Sequence, residues 1–281
     1  MEESLKKQLA IAATRIRMSV INGTYHAKSG HPGGSLSVAD LMAYLYFAEM
    51  RVDPQNPRWQ GRDRLVLSKG HTAPALYGAL ALKGFFPVEE IDSLRHTGAM
   101  LQGHPDMKGT PGVDMSTGSL GQGVSAAVGM ALAGKLDNAS YRVYTVLGDG
   151  EIEEGQVWEA AMFAAHKKLD NLCLIVDNNN LQIDGTLEEV NSPYPIPEKF
   201  AAFGFKVIEI DGSDFDQMET AFRAAREEKG RPTAIVMTTV KGKGVSFMEN
   251  MANWHGAAPN KEQTEQALAE LEAALKQLKS N

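Results

Sequence analysis

"RVYTVLGDG", residues 142–150, decides the fold: an apolar, strand-forming run ends abruptly in a Gly-Asp-Gly turn. Four glutamates follow within ten residues, in "EIEEGQVWE" at 151–159. Similar apolar runs recur at "LCLIVD" (172–177), "KVIEID" (206–211) and "TAIVMTTV" (233–240), with helical segments at about 156–168 and 215–228 between them. Strands that are apolar on both faces and joined by helices predict an α/β fold, a parallel sheet with helices on both faces.

Working outward, Leu5, Leu9, Ala12, Ile16 and Val20 have the spacing of an amphipathic helix, which "SGHPGGS" (29–35) breaks. A second helix is expected from about Ser37 through "DLMAYLYFAEM", with Ser37 and Asp40 spaced as a capping box. The short run "RLVLS" (64–68) precedes a helix with Pro74 near its first turn. Residues 121–135 read as a small-residue helix, the proline-rich 191–200 as a loop, and 260–280 as a terminal helix extending a single domain over 1–281.

The chain has 281 residues, 43% of them hydrophobic, and a formal charge of -7, which gives no basic field for nucleic acid or an anionic membrane. The one cysteine, Cys173, sits inside an apolar run, and no signal-peptide core or membrane-spanning stretch is evident; a cytoplasmic setting is expected.

In an open parallel sheet, ligands collect beyond the carboxyl ends of the strands. Two such ends carry unusual residues: Gly148-Asp149-Gly150, and "DNNNLQIDG" at 177–185. Asp149 offers a carboxylate, Asn179 an amide oxygen and Leu181 a backbone carbonyl. Those hard oxygens suit Mg²⁺ or Ca²⁺ and not zinc, and leave the remaining positions to water and phosphate oxygens. Glycines beside Asp149 let backbone approach the phosphates. The same residues also suit an asparagine turn and an unrelated strand-end glycine.

Gly-Asp-Gly followed by Asn178-Asn179 resembles the thiamine diphosphate motif. Four histidines in glycine-flanked turns narrow the resemblance: His31 in "KSGHPGG", His71 in "SKGHTAPALYG", His104 in "LQGHPD" and His255 in "NWHG". Together with "STGSLGQG" (116–123), "GDGEIEEGQVWEA" and "KGKG" (241–244), they resemble the transketolase family over about 29–256, its diphosphate-binding domain alone. That resemblance implies Mg²⁺ (or Ca²⁺ or Mn²⁺ in its place) on Asp149, Asn179 and the Leu181 carbonyl. It implies thiamine diphosphate contacts at Lys69, His71, Gly118, Ser119, Leu120, Gly150, Asn179 and Lys241. His31, His104 and His255 are implied to face the sugar phosphate substrate as catalytic groups, and Glu154 to act near the path between two cofactors. Glu151 and Glu153 read as first-turn acids favoured by the helix dipole, and His26, His96 and His166 receive no role.

The resemblance further implies that a C-terminal subunit carries the pyrimidine-binding domain, in an assembly of two copies of each chain. Small apolar patches on 121–135 and around Trp158 are expected either at that interface or in the core. Another thiamine diphosphate reaction, of synthase or α-keto acid type, and a non-catalytic relic are the competing readings. Gly34 stands where related enzymes can carry serine, and Phe205 where tryptophan is frequent.

Overall fold

The computed structural model describes residues 1–280. Its helices begin with α1 (Glu3–Ala27), α2 (Pro32–Ser37), α3 (Ala39–Tyr44), α4 (Ala73–Lys83) and α5 (Gln122–Leu136). They continue with α6 (Gly155–His166), α7 (Leu187–Val190), α8 (Ile196–Ala202), α9 (Phe215–Glu227) and α10 (Lys261–Ser280). Strands β1 (Arg64–Leu67), β2 (Val143–Gly148), β3 (Leu172–Asn178), β4 (Lys206–Asp211) and β5 (Thr233–Thr238) form one parallel sheet in the order β1-β2-β3-β5-β4.

Alternation along the strands feeds two cores, as a sheet buried on both faces requires. Cys173, Ile175, Ile235 and Met237 face a core built with α1 to α4, α9 and α10. Leu172, Leu174, Val176, Ala234 and Val236 face the opposite core, built with α5, α6 and α8. Phe205 belongs to this second core, its ring against Phe200.

Two local expectations are corrected. The second helical segment starts at Pro32, in a first turn where a missing N–H costs nothing, and a break at Val38 separates α2 from α3. No Ser37–Asp40 capping box forms: Ser37 donates to the Gly34 carbonyl and to Asp177, while Asp40 pairs with Arg17 and Lys243. Tertiary partners outcompete the local cap. Within the expected 191–200 loop, a proline in the first turn starts α8 at Ile196.

Close packing fixes α5 over the end of β1. A Cβ on Gly123 would lie 2.6 Å from the Ser68 Cα, whereas one on Gly129 would meet nothing within 4 Å. Gly123→Ala should therefore destabilise by about 1–3 kcal/mol through overpacking. Gly129→Ala should instead stabilise by up to about 1 kcal/mol, because alanine is the better helix former. Urea midpoints of the two variants, moving in opposite directions, check this.

Candidate cofactor and substrate site

The register that pairs Gly148 with Asp177 sets the Asp149 turn and the 177–181 segment side by side. Between them and the β1 end lies a cleft of about 210 Å³. Of the residues singled out in the sequence, Asp149, Gly150, Asn179, Leu181, Lys241, Lys69, His71, Leu120 and His255 line it. His31 and His104 stand beside it: the His31 ring is 5.1 Å from His71, 5.5 Å from His255 and 6.4 Å from His104. Gly118 lies against the His104 ring. Ser119 and Glu154 lie at the α5 entrance instead of in the cleft lining. The Ser119 carbonyl accepts from Gln122, and the exposed Glu154 packs on Gly121, whose φ of +79° turns the chain into the helix.

The three oxygens singled out in the sequence border the same cleft. Asp149 is buried, with its carboxylate oxygens accepting from the Gly150 and Asn180 N–H groups at 2.9 and 2.6 Å. Burial, and then the neighbouring Asp177 charge, push its pKa up to about 7, against the two backbone N–H groups and Lys69, which act the other way. The Asn179 amide is oriented by chemistry. Its NH₂ donates to the acceptor-only Asp177 carboxylate at 3.0 Å, so the carbonyl oxygen points the other way, where it accepts from the Leu181 N–H. The Leu181 carbonyl already accepts from a cation, the Lys241 ammonium, at 2.9 Å. Among the described residues, no three His, Cys, Asp or Glu side chains converge as a metal cage. One carboxylate with amide and carbonyl oxygens fits Mg²⁺ shared with a diphosphate.

Two further buried groups organise this cleft, both inside the sequence motifs but given no site role there. Asp177, fully buried, accepts from Ser37, Lys69, Asn179 and Thr239, so the Lys69 ammonium is neutralised inside the protein. Glu151 is not an ordinary first-turn acid. Its buried carboxylate accepts from the Ser68 hydroxyl and from the Gly121 and Gly148 N–H groups, tying β1, β2 and α5 together. A carboxylic residue at a strand end was the available signal for Asp177; nothing local distinguishes Glu151 from Glu153, which takes Gln182 and Asn191.

The histidines are held neutral. His31 falls to about 4 and His255 to about 3, chiefly by burial and then by nearby cations, Arg95 for His31 and Lys241 for His255. His71 is held well below the usual range, by burial and then by Lys69. Because Lys241 can only donate, its 3.0 Å bond to the His255 Nδ1 makes that atom the acceptor and leaves Nε2 carrying the hydrogen.

An unfolded histidine takes a proton near pH 6.5, and these folded ones resist until far lower. The histidines' contribution to stability is complete above about 6.5 and is lost as pH falls from there towards 4, where the unfolded chain binds more protons. His71 alone sets a slope of about 1.4 kcal/mol per pH unit. His31 and His255 add less, being screened by water. Asp149 opposes them with its single proton, since its raised pKa makes the folded chain the better proton binder between 3.8 and about 7. Urea midpoints at pH 7, 6 and 5 should fall steadily, and less steeply in His71→Asn.

A family-wide sequence profile, "Transketolase, thiamine diphosphate binding domain", matches residues 7–275. The chain is 52% identical over 243 residues to the 6-deoxy-6-sulfo-D-fructose transketolase subunit SqwG of Clostridium sp. (strain MSTE9), covering 86% of this chain and 88% of that protein. It is 43% identical to one of the apulose-4-phosphate transketolase subunits of Phocaeicola vulgatus, covering 96% of each. Against the transketolase of Campylobacter jejuni, a crystal structure, the TM-score is 0.88 at 31% identity, covering 99% of this chain and 46% of that one. The chain thus spans nearly all of the subunit-type relatives and less than half of that transketolase.

Proposed function

The chain belongs to the transketolase family through its thiamine diphosphate binding domain, and we propose that it is the diphosphate-binding subunit of a two-chain enzyme. That enzyme transfers a two-carbon ketol unit from a ketose phosphate to an aldose phosphate, using thiamine diphosphate and Mg²⁺. The observation that carries this reading is the placement of four histidines, with ring separations of 5.1–6.4 Å, beside a cleft lined by the Asp149, Asn179 and Leu181 oxygens.

Asp149, Asn179 and the Leu181 carbonyl would hold Mg²⁺, or Ca²⁺ or Mn²⁺ in its place, and Gly150, Lys241, His71 and the α5 entrance would cradle the diphosphate. When bound, thiamine diphosphate supplies the carbon nucleophile and electron sink that cleavage of a ketose carbon–carbon bond requires. The protein's own groups then orient and exchange protons. His255 presents an Nε2–H donor to a substrate oxygen. His31 and His104, neutral near pH 7, can accept a hydroxyl proton or return one.

A second chain would supply the pyrimidine-binding half, in an assembly of two copies of each. Apolar surface near the cleft and on the α5–α6 face supports this: Ile183 is 61% exposed in the cleft wall, Leu136 73% on α5 and Met162 61% on α6. Glu154 and Glu159 are exposed on α6 or at its start, open to such a partner. The acidic charge and single buried thiol suit a reducing cytoplasm, and among the described residues no helix is long and apolar enough to cross a membrane.

The test is ketol transfer to ribose 5-phosphate by the purified chain, alone and with the protein it captures from its own cells. Xylulose 5-phosphate and 6-deoxy-6-sulfofructose serve as donors, the second because of the name borne by the 52%-identical relative. Transfer is expected only with both chains present. Turnover by the partner-free chain would sink the two-chain reading. Transfer from neither donor, with pyruvate consumed instead, would move the assignment to an α-keto acid enzyme.

A further inference from the structure

Arg95 takes no part in the motifs or in the cofactor cleft, yet it lies between the turns that carry His31 and His104. Its backbone is left-handed, with φ of +61°, rare for a residue with a side chain. That conformation comes with a 2.8 Å bond from its N–H to the Leu101 carbonyl, which closes the loop leading to His104. Its guanidinium donates to the Ser29 hydroxyl at 3.3 Å and to the Gly103 carbonyl at 3.4 Å. Ser29 is two residues before His31, and Gly103 is one before His104.

The group is packed as well as bonded. A Cβ on Gly103 would come within 2.7 Å of the Arg95 Cζ, so the guanidinium rests directly against this turn. Buried Tyr77 completes the support by donating to the Gln102 and His104 carbonyls at 2.9 and 3.0 Å. Three consecutive carbonyls, 102 to 104, are thereby held by two side chains. Among the described residues, Arg95 is the one side chain that hydrogen-bonds both to the 29–31 turn and to the 102–104 turn.

We propose that Arg95 is a positioning residue that staples the His31 turn to the His104 turn and so sets the separation of two substrate-facing imidazoles. This rests on the functional reading above. Its charge has a secondary consequence, since it opposes protonation of both rings. His31 also faces His71, His104, His255 and Lys241, so Arg95 is one of several groups keeping it neutral.

The test compares Arg95→Met, Arg95→Lys and Ser29→Ala in the full chain, with and without its partner. For Arg95→Met in the complex, kcat/KM for xylulose 5-phosphate should fall about tenfold or more, as expected for losing hydrogen bonds from a charged donor. Most of the loss should appear in KM, and thiamine diphosphate affinity should stay as in the unsubstituted complex. Arg95→Lys keeps the charge but replaces two donor nitrogens aimed at two acceptors with one, and should show most of the same loss; Ser29→Ala should show a smaller one. Imidazole NMR of the full chain gives a readout independent of turnover. The His31 and His104 midpoints should rise in Arg95→Met and hold in Arg95→Lys.

Full activity in Arg95→Lys would overturn the staple, as would a parallel loss of cofactor affinity in Arg95→Met. Should the unsubstituted complex transfer no ketol unit, the functional reading falls by itself. Unmoved midpoints in Arg95→Met would then overturn the placement of Arg95 between the two rings.

Discussion

Asp149→Asn is expected to lower the affinity of the assembled protein for thiamine diphosphate with Mg²⁺ by at least about 100-fold. Substitutions one shell further out from a metal already cost about 10–100-fold, and Asp149 offers the only charged oxygen of its set. The cofactor-free chain should keep its fold, because the substitution removes a buried charge that no salt bridge holds and that Lys69 offsets only in part. Asp149 is pushed up to about 7 by burial and by Asp177, so above pH 7 the native chain bears the cost of an ionised carboxylate that the variant lacks. Asparagine keeps one acceptor but turns an NH₂ towards either the Gly150 or the Asn180 N–H, which offsets part of that relief. Binding and stability should therefore separate. At a ligand concentration of about 100 Kd the native protein gains about 2.7 kcal/mol, and the variant at the same concentration gains almost none. Calorimetric titration with MgCl₂ present, paired with urea unfolding without ligand, measures both halves. Equal dissociation constants would remove Asp149 from the cation site.

The largest stability loss is expected at Asp177, where no surface water can compensate. Lys69 and Asp177 are 2% and 0% exposed. Asp177→Ala leaves the Lys69 ammonium buried with only the Gly34 carbonyl, and strips Ser37, Thr239 and the Asn179 amide of their shared acceptor. Breaking a buried pair by removing one partner costs about 3–5 kcal/mol. Lys69→Met in the same chain should recover part of that loss, since the lysine ammonium is then no longer left without its partner. The recovery should stay partial, because the Thr239 hydroxyl and the Asn179 amide still lack an acceptor, while Ser37 keeps the Gly34 carbonyl. A double-mutant cycle by urea unfolding should give a coupling of about 1–3 kcal/mol between positions 69 and 177. Strict additivity would show that the two charges do not rely on one another. Because Asp177 also orients the Asn179 amide, its loss should weaken cofactor binding even where the fold survives.

The role of Gly34 shows how a departure from a family pattern reads once its neighbours are known. A Cβ there would meet the Thr72 methyl at 3.0 Å, with His71 and Lys69 close behind. Its carbonyl accepts from both Lys69 and Ser37. Glycine here leaves space at the cleft wall while its backbone helps to hold the buried lysine.

What the chain's sequence determined by itself is whatever depends on near neighbours along it. Continuous apolar runs, separated by helical segments, specified a parallel sheet covered on both faces, and the structure has that sheet. Gly148-Asp149-Gly150 at one strand end and the asparagines at the next marked residues that line the cleft, because each turn lies within a few residues of its strand end. Histidines in glycine-flanked turns stood out for the same reason. The tertiary structure alone decided which charges meet. Asp177 finds Lys69 across 108 residues, Glu151 reaches Ser68 across 83, and Arg95 reaches Ser29 across 66. It also decided that Ser37 and Asp40, spaced for a local cap, serve Asp177 and Arg17 instead. Periodicity and turn chemistry are written locally and can be read in order. A buried charge takes its partner from whichever element packs against it, and that choice exists only when the chain has folded.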